Sequence, residues 1–165
     1  MPPSGVQVRV EITSPPGLDR AFAGLIRLGA DLRPVWSDIG AGLVASARDR
    51  FEEGRGPDGR AWTPLAATTI GLRKRRIRGK KKRAAYTPKP LLDSGRLRDS
   101  VTMRADVDGV EVGSNLAYAR IHQLGGKAGR GRKTAIPARP YLGLSDEDRD
   151  MIPEVVMDHL RRAAG

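Results

Sequence analysis

Two prolines three residues apart, Pro137 and Pro140, lie in the string Ile136-Pro137-Ala138-Arg139-Pro140-Tyr141-Leu142 and constrain the chain more than any other feature. Each fixes φ and removes a backbone donor. The string is therefore extended but cannot be a central strand, which leaves an edge strand or a clamp over the core. It closes the stretch 110–144, around which the chain is organised. That stretch opens with a strand at 110–112, reached from a strand at 101–105 by a turn at 106–109 whose Asp-Gly ending is a hairpin signal. Gly113-Ser114-Asn115 breaks the strand, and Ser114 or Asn115 is placed to cap the helix that follows. Leu116, Tyr118, Ala119, Ile121, His122 and Leu124 give that short helix one apolar face, and Gly125-Gly126 stops it. A mobile basic loop carrying Lys127, Arg130, Arg132 and Lys133 is expected before the proline string.

Upstream, Val6, Val8, Val10 and Ile12 alternate with polar residues, the period of a half-buried strand that ends at Ser14-Pro15-Pro16-Gly17. Helical spacing follows over 18–32, and Pro34 fits the first turn of a second helix. In that helix, from 35 to about 53, Trp36, Ile39, Leu43, Ala47 and Phe51 recur at three- and four-residue steps, as in a core helix packed on a sheet. Residues 54–60 are turn chemistry throughout and deliver Trp62, read as a plug over one edge of the core. Thr68 or Thr69 is placed to cap a short helix, and 93–100 reads as a turn plus one or two helical turns. Ser145 is an N-cap for a last helix whose Pro153 is expected to kink or divide it. The fold class is α+β: one small domain over 1–165, with a mixed or antiparallel sheet packed on a long amphipathic helix. A basic insertion loop occupies about 73–90. Trp62, Phe51, Leu43, Ile39, Tyr118 and Leu142 are the predicted core.

The net charge of +11 belongs to one segment. Residues 59–92 hold no acidic side chain and eleven basic ones, and the rest of the chain holds 19 of each sign. Arg73, Lys74, Arg75, Arg76, Arg78, Lys80, Lys81, Lys82 and Arg83 are crowded enough that like-charge repulsion predicts an extended, disordered segment until a partner neutralises it. With Lys127, Arg130, Arg132 and Lys133, these are the candidate contacts to a partner protein or to DNA. Aromatic residues are only 4% of the chain, which argues against base stacking, so any DNA contact would be to phosphates and non-specific.

The remaining chemistry is thin. The chain has no cysteine, which excludes disulfides, thiolate metal sites and a cysteine nucleophile, and fits a reducing cytoplasm. The first residues lack the pattern of a secretory signal, and the longest uncharged apolar run, 39–47, is about half a membrane span. In Gly126-Lys127-Ala128-Gly129-Arg130-Gly131-Arg132-Lys133-Thr134 an Arg separates the last glycine from Lys-Thr, so the phosphate-loop spacing fails. His122 and His159 have no ligand spacing, and no hydroxyl has a recognisable base beside it. No catalytic residue, metal site or cofactor is expected. A hydrolase ranks behind a structural protein and a free, non-specific DNA-binding protein.

Three blocks carry a resemblance. They are Phe51-x5-Pro57-Asp58-Gly59-Arg60-x-Trp62-x-Pro64-Leu65, then Leu91-Leu92-Asp93-Ser94-Gly95-x-Leu97-x2-Ser100, and then Val112-Gly113-Ser114-Asn115-x2-Tyr118-Ala119-x2-His122-Gln123-x-Gly125-Gly126 leading to Ile136-Pro137-Ala138-Arg139-Pro140-Tyr141-Leu142-Gly143. In order and spacing they resemble the virion morphogenesis (tail-completion) family of Mu-like and P2-like phages. Asp93 departs from the family pattern, which often has a Thr-Gly or Ser-Gly turn without it. The resemblance implies a non-enzymatic neck subunit made in the bacterial cytoplasm and located in the virion at the head–tail junction. It implies a homo-oligomeric ring, expected to be a hexamer, through which DNA passes. Its neighbours would be the connector or stopper and the tail terminator or tube, with no membrane involved.

Overall fold

The computed structural model describes residues 6–9, 17–29, 31–77 and 79–164. Its central element is helix α2 (Arg33–Glu53), with Pro34 in the first turn and Gly54 in the left-handed conformation at its end. Val35, Ile39, Leu43, Ala47 and Phe51, each four residues from the last, form its buried stripe. Three antiparallel strands, β1 (Val6–Arg9), β2 (Val101–Ala105) and β3 (Val110–Ser114), form a sheet in the order β1-β3-β2. Helix α2 packs against β2 and β3. Gly40 permits this approach, because a Cβ there would come within 2.7 Å of Val110 Cγ2. Helix α1 (Leu18–Arg27) and helix α7 (Asp146–Ala164) complete the helical layer, α7 packing on both α1 and α2. Ile39, Phe51, Val101, Tyr141, Ile152 and Val156 are buried in one apolar cluster. Each such side chain contributes about 1.5–3 kcal/mol by leaving water.

Between these elements in the chain come the short helices α3 (Ala67–Arg76), α4 (Lys80–Ala85), α5 (Arg96–Asp99) and α6 (Ala119–Leu124). A second, two-stranded sheet pairs β4 (Gly126–Ala128) with β5 (Thr134–Ile136) around a 3-10 turn at Arg130–Arg132. The β2–β3 hairpin has the predicted register, Val101 opposite Ser114 and Ala105 opposite Val110. Its turn is closed by Asp106, whose N–H donates to Gly109 O at 2.9 Å. Asp106 Oδ1 accepts from the N–H groups of Asp108 and Gly109 at 2.9 and 3.0 Å.

The structure corrects several expectations. The basic segment 73–83 is not extended: it forms the second half of α3 and most of α4. Arg73, Lys74, Arg75 and Arg76 sit in the last turn of α3, where the helix dipole favours positive charge, and Asp93 pairs with two of them. The expected mobile loop at 127–134 is the β4–β5 hairpin. Helix α3 starts at Ala67 without a side-chain cap, so neither Thr68 nor Thr69 caps it. Ser114 Oγ accepts from Leu116 N–H at 3.3 Å, an ST-turn that precedes α6 and does not cap it. Helix α1 ends at Arg27, short of the expected 32. Pro153 does not divide α7, because Ile152 and Val156 are buried on either side of it and hold the helix to the core. Tyr118 is 39% exposed, packed edge-on against His122 and not in the core. Val10, Ile12 and the break at 14–16 lie outside the described residues.

Trp62 is the plug that the sequence predicts. It is 6% exposed, stands edge-on to Phe51 at 5.7 Å between ring centroids, and donates its indole N–H to Pro140 O at 2.8 Å. Trp62→Ala opens a cavity and strands that carbonyl, so urea denaturation of the variant is expected to show a loss of about 3–5 kcal/mol. An unchanged midpoint would show that Trp62 covers the core without stabilising it.

Candidate interaction surface

The proline string is a clamp made by side chains. From Pro140 O to Gly143 O, six backbone polar groups are met by Trp62, Gln123 and Arg50 and by no strand. Gln123, buried on α6, accepts from Tyr141 N–H and Leu142 N–H through Oε1, both at 3.0 Å. It donates from Nε2 to Leu142 O at 2.9 Å. Arg50 Nη1 donates to Tyr141 O at 3.1 Å and Gly143 O at 2.9 Å, while Nη2 reaches Ser46 Oγ and the Asp148 carboxylate, the latter at 2.5 Å. Asp148 also takes the N–H of Ser145 at 2.8 Å, and Ser145 Oγ accepts from Asp148 N–H at 3.3 Å, a reciprocal cap on α7. The chain enters the clamp at Gly125, φ 73°, where a Cβ would lie 2.8 Å from Ala138 N. The Tyr141 ring closes over Phe51, and burial pushes its phenol up to about 12.

One residue earlier the same string turns outward. Arg139 is 6% exposed; its guanidinium donates to Thr63 O at 2.8 Å and Pro64 O at 3.1 Å and meets no carboxylate among the described residues. It lines a groove of about 660 Å³ between the 63–69 segment, α5, α6 and β5. Leu65, Leu97, Tyr118 and Ile136 supply apolar wall, and Arg73 and Arg96 supply further positive charge. Burial lowers the proton affinity of Arg139, and Arg73 adds to the effect. His122 in the same groove is held below its ordinary value by burial and then by Arg139 and Arg73.

The sequence-predicted basic residues divide between structure and solvent. Arg73, largely buried, donates to Lys89 O at 2.8 Å and pairs with Asp93 at 3.4 Å; Arg76 pairs with Asp93 at 2.6 Å. Lys74 and Arg75 share α3, and Lys80, Lys81, Lys82 and Arg83 lie on α4, where Lys81 and Lys82 are exposed. Arg78 lies outside the described residues. Lys127 is on β4, Arg130 and Arg132 are in the 3-10 turn, and Lys133 follows it, all four exposed. The insert and the hairpin are thus two separate basic elements. Among the described residues no three His, Cys, Asp or Glu side chains are placed to hold a metal ion, and no helix is long and apolar enough to cross a membrane. His159 is occupied by Asp38 at 2.8 Å.

Sequence reasoning missed Arg50, Gln123, Arg139 and Asp148 as a set. Two signals were available. Arg50 falls three residues after Ala47, on the apolar stripe of α2, where a charge needs a buried partner. Asp148 follows Ser145 at capping-box spacing.

Removing the Gln123 amide leaves buried donors and an acceptor unmet, so Gln123→Ala is expected to cost about 3 kcal/mol or more. Gln123→Glu makes a sharper test. Protonated, its carboxyl reproduces the donor to Leu142 O; ionised, it repels that carbonyl. Burial raises the folded-state pKa of such a glutamate, so the variant should match the parent below the unfolded value of about 4.3 and fall behind it as pH rises. Chemical denaturation of both proteins across pH measures the gap; a gap independent of pH would refute the assigned hydrogen bond.

The sequence matches the phage virion morphogenesis family over residues 15–161. It is 33% identical over 154 residues to the Mu-like prophage FluMu G protein 2 of Haemophilus influenzae, covering 93% of this chain and 96% of that one. It is 30% identical over 137 residues to tail completion protein S of Escherichia phage P2, covering 79% and 85%. It is 28% identical over 128 residues to the putative capsid assembly protein G of Escherichia phage Mu, covering 76% and 77%. No solved structure matches it. The family match spans the clamp, the groove and both basic elements: the chain belongs to the phage virion morphogenesis family.

Proposed function

We propose that this chain is a structural subunit of the head–tail junction of a tailed phage, completing the tail and joining it to the head as a ring through which DNA passes. The observation that carries the reading is the similarity to a tail completion protein over 79% of the chain. The fold supports it: the described polar clusters serve to hold a rigid body together, and cations are left on the surface. Lys74, Arg75, Lys81, Lys82, Lys127, Arg130, Arg132 and Lys133 have no acidic partner among the described residues. These residues, with Arg73, Arg76, Arg78, Lys80 and Arg83 by their charge in the sequence, are the ones assigned to partner contact. A ring, expected to be a hexamer, buries further surface for a subunit whose hydrophobic share is 39%.

Acidic surfaces of neighbouring neck proteins, the connector or stopper on one side and the tail terminator or tube on the other, are the partners assigned to these cations. DNA is the second reading, favoured by the same unpaired charges. A channel that releases DNA quickly gains little from a strongly cationic lining, which places protein docking first.

Neutralising the helical insert with Arg75→Gln, Lys81→Gln and Lys82→Gln keeps helix propensity and removes three exposed charges. The variant is expected to unfold within about 0.5 kcal/mol of the parent per site. In a complementation assay for infectious particles it should lower head–tail joining, and raised salt during assembly in vitro should mimic it. Wild-type particle yields would reduce the insert to a solvated surface. Duplex DNA shifted by the parent and not by the variant, with no defect in joining, would favour the DNA reading.

A further inference from the structure

The groove over Arg139 is lined by three guanidiniums, Arg73, Arg96 and Arg139, against one carboxylate, Asp93, which Arg76 also shares. A buried guanidinium is ordinarily compensated by a carboxylate, and Arg139 has only two carbonyls. Arg96, beside it in the lining, has no acidic partner among the described residues, and Arg73 shares Asp93 with Arg76. The walls are apolar, and half-exposed Tyr118 stands over them. Such a groove fits a short segment that presents carboxylates and an apolar side chain together. A phosphate backbone would leave the apolar wall uncovered.

The chain exposes one segment of that kind. Of the large exposed apolar side chains among the described residues, Val107, 54% exposed, alone has a carboxylate on both sides, Asp106 and Asp108. The tip is rigid, because Asp106 closes the turn with its own carboxylate oxygen, and Asp108 has no recorded side-chain partner. A second cleft, of about 500 Å³ between α2 and α7, is lined by Asp49, Glu53, Glu147 and Asp148, of which Glu53 and Asp148 are paired with Arg55 and Arg50. It presents no large exposed apolar side chain.

The tip cannot fill the groove of its own chain. Leu97 lines the groove, β2 starts at Val101, and the five residues of β2 carry the chain about 17 Å onward before the turn. We infer that the β2–β3 tip of one subunit, Asp106-Val107-Asp108, docks in the Arg73–Arg96–Arg139 groove of a second copy. Donor and acceptor are different surfaces of the same chain, so the contact is head-to-tail and each subunit makes it twice. A head-to-tail contact that closes gives a ring. The inference rests on the ring reading above and names the contact that builds the ring.

Charge reversal on each side provides the test. Arg96→Glu sets a carboxylate against Asp108 of the incoming tip; Asp108→Lys sets an ammonium against Arg96 and spares the turn, which Asp106 closes. Each variant alone is expected to lose self-association by about ten-fold or more, read by sedimentation at concentrations where the parent assembles. Mixed in equal amounts, the two should restore assembly with strictly alternating subunits, which native mass spectrometry resolves by mass. Circular dichroism and thermal melts of each variant establish that it is folded. Assembly of the parent with both variants unaffected, or a mixture that stays dissociated, overturns this contact and leaves the ring reading standing. A parent that is monomeric at every concentration, and absent from the neck of particles, overturns both.

Discussion

The structure turns on the Arg50 guanidinium. It lies in the core with a side chain 5% exposed, and burying a charge there is costly unless it is paired and hydrogen-bonded. Here it ties three elements: α2, which carries it, the proline string, whose carbonyls at Tyr141 and Gly143 it binds, and α7, whose Asp148 neutralises it. The prolines create the need. A segment that cannot join a sheet still has carbonyls and N–H groups to satisfy, and burying them unpaired would cost more than the apolar contacts of Tyr141 and Leu142 return. Arg50, Gln123 and Trp62 solve that accounting problem, and in doing so fix where the last third of the chain lies.

The same logic of pairing explains the charge distribution. The basic segment is helical because its first cations are compensated locally. Asp93, the residue at which the second block departs from the family pattern, takes Arg73 and Arg76, while Glu52 takes Lys89 and Arg98. These surface pairs contribute little to stability individually. Their effect is to lay α3 along the body and remove the repulsion that would otherwise extend it. Among the described residues, Lys74 and Arg75 on α3 remain unpaired, as do cations further out on α4 and on the β4–β5 hairpin.

Much of the architecture was legible in the sequence, and the reasons are local. The stripe of Ile39, Leu43, Ala47 and Phe51, the Asp-Gly hairpin and the Ser145 cap each follow from a few neighbouring residues, and the structure has them. The break expected at Gly113-Ser114-Asn115 is absent, because β3 runs on to Ser114 and pairs there with Val101. Trp62 was placed correctly because a tryptophan after a turn-rich loop has few other uses. The failures were non-local. No window of sequence shows that Gln123 and Tyr141 meet, or that Asp93 lies beside Arg76, so the side chains that make the clamp went unseen and the basic segment was read by its composition alone. Tyr118 was misplaced because its helical spacing fits the apolar face of α6, and only the path of the 63–69 segment decides that this face borders a groove.

Helix α6 shows how the core and the surface become one device. Gln123 points inward and holds Tyr141 and Leu142, and its neighbour His122 lies at the groove with Tyr118 against its ring. The His122 carbonyl accepts the N–H of Arg139 at 2.8 Å, and the Arg139 side chain then reaches Thr63 and Pro64, the segment that follows Trp62. Groove and clamp therefore share a backbone and cannot shift independently. A subunit built this way presents its cationic groove at a fixed angle to the sheet from which the β2–β3 tip projects. The ring proposed for this chain would impose that requirement, since each subunit of a closed ring must repeat the same rotation for the last contact to meet the first.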